Sequence, residues 1–233
     1  MVLTAAIFDV DGVLLASPHE RAWREALVGI AEPDRFTTAM YQAHVAGKLR
    51  LDGARSALEA LGVRNAGRLA AIYAGRKQAR LEELIRAGSV AAFPDALRFV
   101  QAVAAIGWPL AAASSSRNAT DMMRSITLPT GQSLLDIFRV NVSGRDLKRG
   151  KPDPELFLIA AAELGVSPKQ CLVAEDAPAG IEAARAGGMS ALGVARLGDA
   201  KQLLAARADL VITSLDDVVI ADLALGRLVG RTS

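Results

Sequence analysis

Two carboxylates stand at the end of an apolar run: "AAIF" (5–8) leads into Asp9, Val10, Asp11 and Gly12. Three more groups of chemically capable residues follow along the chain. Ser114 closes "PLAAA" and is followed by Ser115, Ser116, Arg117 and Asn118. Lys151 stands in "KRGKPDPE", and Glu175 and Asp176 follow "CLVA". The residue types complement one another. Asp9, Glu175 and Asp176 are hard oxygen ligands of the kind that Mg²⁺ takes. Ser114 offers a hydroxyl and Lys151 a cation, and both suit phosphate oxygens. A carboxylate can attack phosphorus and form an aspartyl-phosphate. A divalent cation and a lysine remove the charge repulsion that would otherwise oppose that attack.

The elements that must position these residues alternate along the chain. Short β-type runs end in small or polar residues: "TAAIF" before Asp9, "WPLAAA" before Ser114, "FRVNV" before Ser143, "CLVA" before Glu175, "SALGV" after Gly188 and "LVIT" before Ser214. Between them "DALRFVQAVAAIG", "PELFLIAAAELG" and "AGIEAARAGG" place apolar residues at helical spacing and stop at glycine. "SLDDVVIADLALG" opens on Ser214 with Asp217 three residues on, which predicts a capped helix. This alternation predicts an α/β fold whose mostly parallel sheet is covered on both faces. The carboxyl ends of its strands converge on one edge, where such sheets bind ligands.

Residues 19–88 interrupt the alternation and read as helix throughout. The expected organisation is a discontinuous core, 1–15 with 91–233, and a helical domain over 16–90 that sits above the carboxyl ends of the strands. Trp23 is expected in that domain's core beside Ala22, Ala26 and Leu27.

Composition narrows the function. The chain has 233 residues, is 52% hydrophobic, and balances 27 basic against 25 acidic residues for a net charge of +2. This offers no electrostatic footprint for nucleic acid or an acidic membrane surface, and aromatics are too scarce for base stacking. Cys171 is the single cysteine and stands in an apolar run, so it reads as a small buried hydrophobe. The start "MVLTAAIFDVD" lacks a basic segment and reads as neither signal peptide nor membrane span. The expectation is a cytoplasmic, monomeric enzyme that acts on a small molecule.

The set "FDVDGV" (8–13), "AAASSS" (111–116), "KPDPE" (151–155) and "AEDAPAGIEAARAGG" (174–188) resembles the haloacid dehalogenase superfamily of phosphotransferases, with the motifs in that family's order. The resemblance implies a Rossmann-like doubly wound parallel sheet core with a small α-helical cap domain inserted after the first strand. It implies Asp9 as nucleophile, Asp11 as general acid/base, and Ser114 and Lys151 as ligands of the transferring phosphate. Mg²⁺ would be held by Asp9, the backbone carbonyl of Asp11 and Asp176, with Glu175 as ligand or water-bridged neighbour.

The insert resembles the cap of the β-phosphoglucomutase-like group. "HERAW" (19–23) is similar to its hinge histidine, here His19. "GKLRLDG" (47–53) is similar to its phosphate-holding arginine motif, here Arg50, and "GRKQ" (75–78) to a cap segment carrying Lys77. "SSSRN" (114–118) also fits, with Ser116, Arg117 and Asn118 reaching toward substrate. His19 equally suits the opening of a helix, Arg50 a helix entry, Lys77 a solvated helix face, and Ser116 and Asn118 a helix cap. The region "TLPTGQSLL" (127–135) is longer than is common in the group. Two reactions on a phosphosugar follow from the resemblance. One is a mutase that converts a sugar 1-phosphate to the 6-phosphate through a bisphosphate; the other is a phosphatase in which water takes the phosphoryl group. A non-catalytic relative would have lost some of Asp9, Asp11, Ser114, Lys151 and Asp176.

Overall fold

The computed structural model of the protein describes residues 2–231. The chain divides into two compact units: one runs to Ala16 and resumes at Ala91, and the other is Ser17–Val90. The first unit contains β1 (Ala5–Phe8), the two-residue strands β2 (Leu15–Ala16) and β3 (Ala91–Ala92), then β4 (Leu110–Ala112), β5 (Val140–Asn141), β6 (Cys171–Glu175), β7 (Ser190–Val194) and β8 (Leu210–Ile212). Six of these form one parallel sheet in the order β5-β4-β1-β6-β7-β8, and β2 pairs antiparallel with β3. All four residues of β1 are buried, which is how a central parallel strand reads when both faces are covered.

The register sets the site. Phe8 lies level with Ala112 of β4 and with Ala174 of β6. The residues just past β1 and β4 therefore reach the same edge as Glu175, the last residue of β6. From β1 the strands proceed one way to β4 and β5 and the other way to β6, β7 and β8. The edge at β1 is thus the point where strand order reverses, the usual crevice for a ligand in open α/β sheets.

The second unit is helical: α1 (His19–Glu25), α2 (Thr38–His44), α3 (Arg50–Ala60) and α4 (Ala66–Arg86). The sequence predicts four helical stretches within 19–88, "HERAWREALVGI" (19–30), "RFTTAMYQAHVAG" (35–47), "LDGARSALEALG" (51–62) and "AGRLAAIYAGRKQARLEELIRAG" (66–88), and four helices form there, although α1 stops short of 30 and α2 starts later than 35. Gly29 takes a left-handed φ of 77°. Pro33 disfavours helical geometry at Glu32, which is extended, so only a short 3-10 turn forms over Pro33–Arg35. Thr37 then restarts the helix, its hydroxyl accepting from the Met40 N–H at 3.2 Å. Trp23 is buried with Ala26, Leu27, Phe36, Leu58 and Tyr73, and its ring meets Tyr73 edge-on at 4.9 Å. At the end of α1 the Leu27 N–H turns to Arg24 O, and the Tyr73 hydroxyl donates to Trp23 O at 2.9 Å.

The first unit's helices are α5 (Pro94–Ala105), α6 (Ala119–Ser125), α7 (Glu155–Leu164), α8 (Pro178–Ala186), α9 (Ala200–Ala205) and α10 (Ile220–Ala224). Neighbouring strand residues point to opposite faces. Ile7 packs into a cluster with Phe157 of α7, Ile181 of α8 and Leu203 of α9. Phe8 instead meets Phe99 of α5 and Phe138 edge-on, both at 5.9 Å. No described helix is long and apolar enough to cross a membrane.

Two local expectations change. The single capped helix predicted from Ser214 is a 3-10 turn, Leu215–Asp217, followed by the short α10. The Ser214 hydroxyl accepts from Asp216 N at 3.3 Å rather than from the third residue on. Val218 bridges Gly230 and the Val219 N–H donates to Val229 O, so these β-branched residues are drawn into extended pairing. The 127–135 segment is a tight turn at Gly131, bridged by Thr127 and Ser133. Removing the buried Tyr73 hydroxyl with Tyr73→Phe leaves the Trp23 carbonyl without that partner and is expected to cost about 1–2 kcal/mol in a denaturant melt.

Candidate active site

Lys151 comes from the loop before α7, and its side chain has no exposed surface. Its ammonium donates to Asp9 Oδ1 at 2.5 Å and to Glu175 Oε1, and it lies 4.8 Å from the centre of the Phe157 ring. Burial alone would lower its pKa, but the charges of Asp9 and Glu175 and their hydrogen bonds outweigh this and hold it protonated. Glu175 has both oxygens engaged. Its Oε2 accepts from the backbone N–H groups of Asp176 (3.0 Å) and Ala177 (3.1 Å). The first turn of α8 lies directly on this carboxylate: a Cβ at Gly180 would stand 1.9 Å from Glu175 Cδ and Oε1. Glu175, expected as a metal ligand or water-bridged neighbour, has its oxygens on Lys151 and on the N–H groups of its own loop.

Asp9 and Asp11 occupy the turn after β1. The Asp9 N–H donates to Ala174 O at 3.0 Å, which continues the β1–β6 ladder. Gly12 has a φ of 83°, and a Cβ there would come within 2.0 Å of Asp176 Oδ2. The position therefore requires glycine both for its conformation and for the closeness of the Asp176 carboxylate. Burial pushes the Asp9 carboxyl up to about 7; Lys151 opposes this, and the charges of Glu175 and Asp11 add to it. Asp176 is raised well above its ordinary value by burial, then by Glu175 and Asp9, against Lys151.

Four acidic side chains thus crowd one buried lysine. Among the described residues no three His, Cys, Asp or Glu side chains are grouped as a metal site. Asp9 and Asp176 remain as a pair of hard-oxygen donors beside the Asp11–Gly12 backbone. A small hard cation that keeps most of its water and takes one or two carboxylates plus a phosphate fits that set, and its charge would offset the burial and the like-charge repulsion that raise both groups.

Ser114 is buried just past β4, joined to β1 through the Ala113 N–H, which donates to Phe8 O at 2.8 Å. Its Oγ accepts from Ser116 N at 3.1 Å, and Ser116 Oγ accepts from Asn118 N at 3.3 Å. Each hydroxyl thus closes a turn with the N–H two residues on. Asn118 stands at the start of α6 without a side-chain capping bond, unlike the cap expected of it. Arg117 is exposed and pairs with Asp146 at 2.6 Å.

The helical unit carries the other three expected residues. His19 is buried at the first position of α1, its Nδ1 2.8 Å from Ser17 Oγ. Arg50 is the first residue of α3 and partly buried. Lys77 is not on a solvated face: it is 4% exposed, with its ammonium 5.1 Å from the centre of the Trp23 ring. Cys171 is buried, with its thiol pushed up to about 11, as suits a packing residue. Gly180 and Arg196 escaped the sequence reading. Gly180 had a signal, since it lies inside "AEDAPAGIEAARAGG", whereas Arg196 stands alone after β7.

A raised carboxyl favours the folded state below its unfolded value of 3.8 and loses that advantage as pH climbs. Asp176→Asn should therefore stabilise metal-free protein by about 1–3 kcal/mol near pH 8, with the gain fading toward about pH 4, in thermal melts with chelator present.

The described family "haloacid dehalogenase-like hydrolase" matches residues 3–188. A β-phosphoglucomutase of Mycobacterium bovis is 35% identical over 92% of this chain and 91% of its own length. A validoxylamine A 7'-phosphate phosphatase of Streptomyces hygroscopicus is 32% identical over 91% and 94%. The crystal structure of an archaeal β-phosphoglucomutase from Pyrococcus superposes with a TM-score of 0.72 at 30% identity, covering 94% of this chain and 96% of that one. With the matched stretch running from β1 past the Asp9–Lys151–Glu175 cluster and through α8, the chain belongs to the haloacid dehalogenase-like hydrolases, in their β-phosphoglucomutase-like group of phosphotransferases and phosphatases.

Proposed function

We propose that the protein transfers a phosphoryl group of a small phosphosugar through an aspartyl-phosphate on Asp9, as a mutase that turns a sugar 1-phosphate into the 6-phosphate by way of a bisphosphate. The observation that carries the chemistry is the Lys151 ammonium held between Asp9 and Glu175 at the strand edge. An Asp9 carboxylate oxygen attacks the 1-phosphorus of a sugar bisphosphate, and the sugar oxygen leaves with a proton from Asp11, releasing the 6-phosphate. The free 6-hydroxyl of a sugar 1-phosphate then gives its proton to Asp11 and attacks the aspartyl-phosphate, freeing Asp9 and restoring the bisphosphate. Lys151 opposes the rise of the Asp9 carboxyl, favouring its ionised form, and, with Ser114, meets the phosphate oxygens. Mg²⁺, held by Asp9, Asp176 and the Asp11 carbonyl, would supply the charge that lets the phosphate approach these acids.

The mutase reading draws on His19, Arg50 and Lys77 occurring together on the helical unit, with Arg50 as the holder of the second phosphate. The phosphatase reading is the alternative, and the 32% identity to a validoxylamine A 7'-phosphate phosphatase favours it. In that reading water replaces the 6-hydroxyl.

Asp9→Asn is expected to abolish turnover in either case, because the amide is no nucleophile; retained activity in a clean preparation overturns the assignment. A panel of hexose and pentose phosphates, each assayed for free phosphate and for isomerised product, separates the two reactions. A mutase yields isomer, accelerated by a trace of sugar bisphosphate, with little phosphate released. Stoichiometric phosphate without isomer establishes the phosphatase.

A further inference from the structure

Arg196 has no part in the chemistry above, yet two distant segments of the first unit, Gly12–Val13 and Phe93–Asp95, meet on its guanidinium. Nε donates to Gly12 O at 3.0 Å and Nη2 to Val13 O at 3.1 Å. The same fork pairs with Asp95, Nη1 to Oδ2 at 3.0 Å and Nη2 to Oδ1 at 3.1 Å. Its plane lies 3.8 Å from the centre of the Phe93 ring. Asp95 accepts further bonds from Ser214 Oγ (3.2 Å) and Leu215 N (2.8 Å), and both side chains are largely buried, 14% and 9% exposed. Burial would raise the Asp95 carboxyl, but these bonds and the Arg196 charge hold it below its ordinary value, so the pair is ionised.

The placement matters because of what Gly12 is. Glycine is the residue with the most backbone freedom, and here it directly follows Asp11, at a φ of 83°. The N–H groups of this turn are tied within it: Gly12 to Leu15 O, and Leu14 and Leu15 both to Val10 O. The carbonyls of Gly12 and Val13 are tied instead to Arg196. A planar fork can fix two peptide planes and one carboxylate at once, which a lysine ammonium cannot. The other side of the fork holds Phe93 and Asp95, just past the point at which the chain re-enters this unit, and the Phe93 N–H donates to Leu14 O at 3.0 Å.

We propose that Arg196 is a positioning residue for phosphoryl transfer: it locks the turn that aims the Asp11 carboxyl and ties that turn to the returning segment at Phe93–Asp95. This rests on the reading of Asp11 as acid/base. The test uses Arg196→Lys, which keeps the positive charge opposite Asp95, with Asp11→Asn in parallel. For kcat/KM, which covers steps only through departure of the leaving group, Arg196→Lys is expected to lose about 100-fold on a hexose phosphate, whose leaving oxygen needs a proton. On an aryl phosphate with a good leaving group it is expected to lose no more than about threefold. Equal losses on both substrates, or recovery of the hexose phosphate rate at lower temperature, would show a merely structural role and overturn the proposal. Amide hydrogen exchange reads the turn directly: Leu14, Leu15 and Phe93 are expected to lose protection while β6 keeps its own, and unchanged protection overturns the proposal. If Asp11→Asn shows no substrate selectivity, the acid/base reading of Asp11 fails, and the exchange data alone decide whether Arg196 holds the turn.

Discussion

An ammonium group with no exposed surface, pressed between the carboxylates of Asp9 and Glu175, sets conditions that the surrounding structure has to meet. A buried charge is tolerable only when it is paired and its partners' remaining lone pairs are satisfied. Lys151 meets this through Asp9 at the end of β1 and Glu175 at the end of β6, so those strands must end level, and the β1–β6 register makes them do so. Glu175 in turn needs its second oxygen capped, which the N–H groups of Asp176 and Ala177 provide. That forces α8 to begin against the carboxylate, and only a glycine at 180 leaves room for it. One pairing thus dictates a strand register, a loop conformation and a helix start.

The same cluster is not balanced. One lysine stands against Asp9, Glu175, Asp176 and the nearby Asp11, and the carboxyls of Asp9 and Asp176 are raised first by burial and then by this excess of negative charge. A fold selected for stability alone would dilute such a cluster. Here the strain is directed at the strand edge, where a cation and then a phosphate would relieve it. Functional sites are where local rules are broken and the cost is carried by the rest of the structure. The rest here is a covered sheet whose central strands are fully buried.

Much of this is legible in the sequence, for reasons that differ by element. The six sheet strands stand out because each is a short, mostly apolar run that ends in small or polar residues, and the chemistry sits where the runs of β1, β4 and β6 close. The helical insert stands out as four stretches at helical spacing, whereas the early end of α1 comes from the Leu27 N–H turning to Arg24 O and from the left-handed φ of Gly29. The engagement of both Glu175 oxygens with Lys151 and the loop N–H groups had no signal, because adjacent carboxylates look alike until their hydrogen bonds are counted. Lys77 looked like part of a charged face because Arg76 and Arg80 flank it; its position over Trp23 follows from the packing of α1 on α4. The Arg196–Asp95 pair joins the turn after β7 to the first turn of α5, and neither residue stands in a pattern that marks the other.

The two-residue ribbon of β2 and β3 has a consequence for how such chains diversify. Ala16 and Ala91 lie opposite one another, so the segment 17–90 departs from and rejoins the α/β unit at neighbouring backbone positions. The entropy of closing a loop grows only slowly with its length, and the ribbon's pairing is complete whatever the segment contains. The segment is therefore a cassette between two fixed splice points. Recombination can lengthen, shorten or replace it without re-solving the arrangement of charges at the end of β1, and a single chemical engine can be handed a new set of customers.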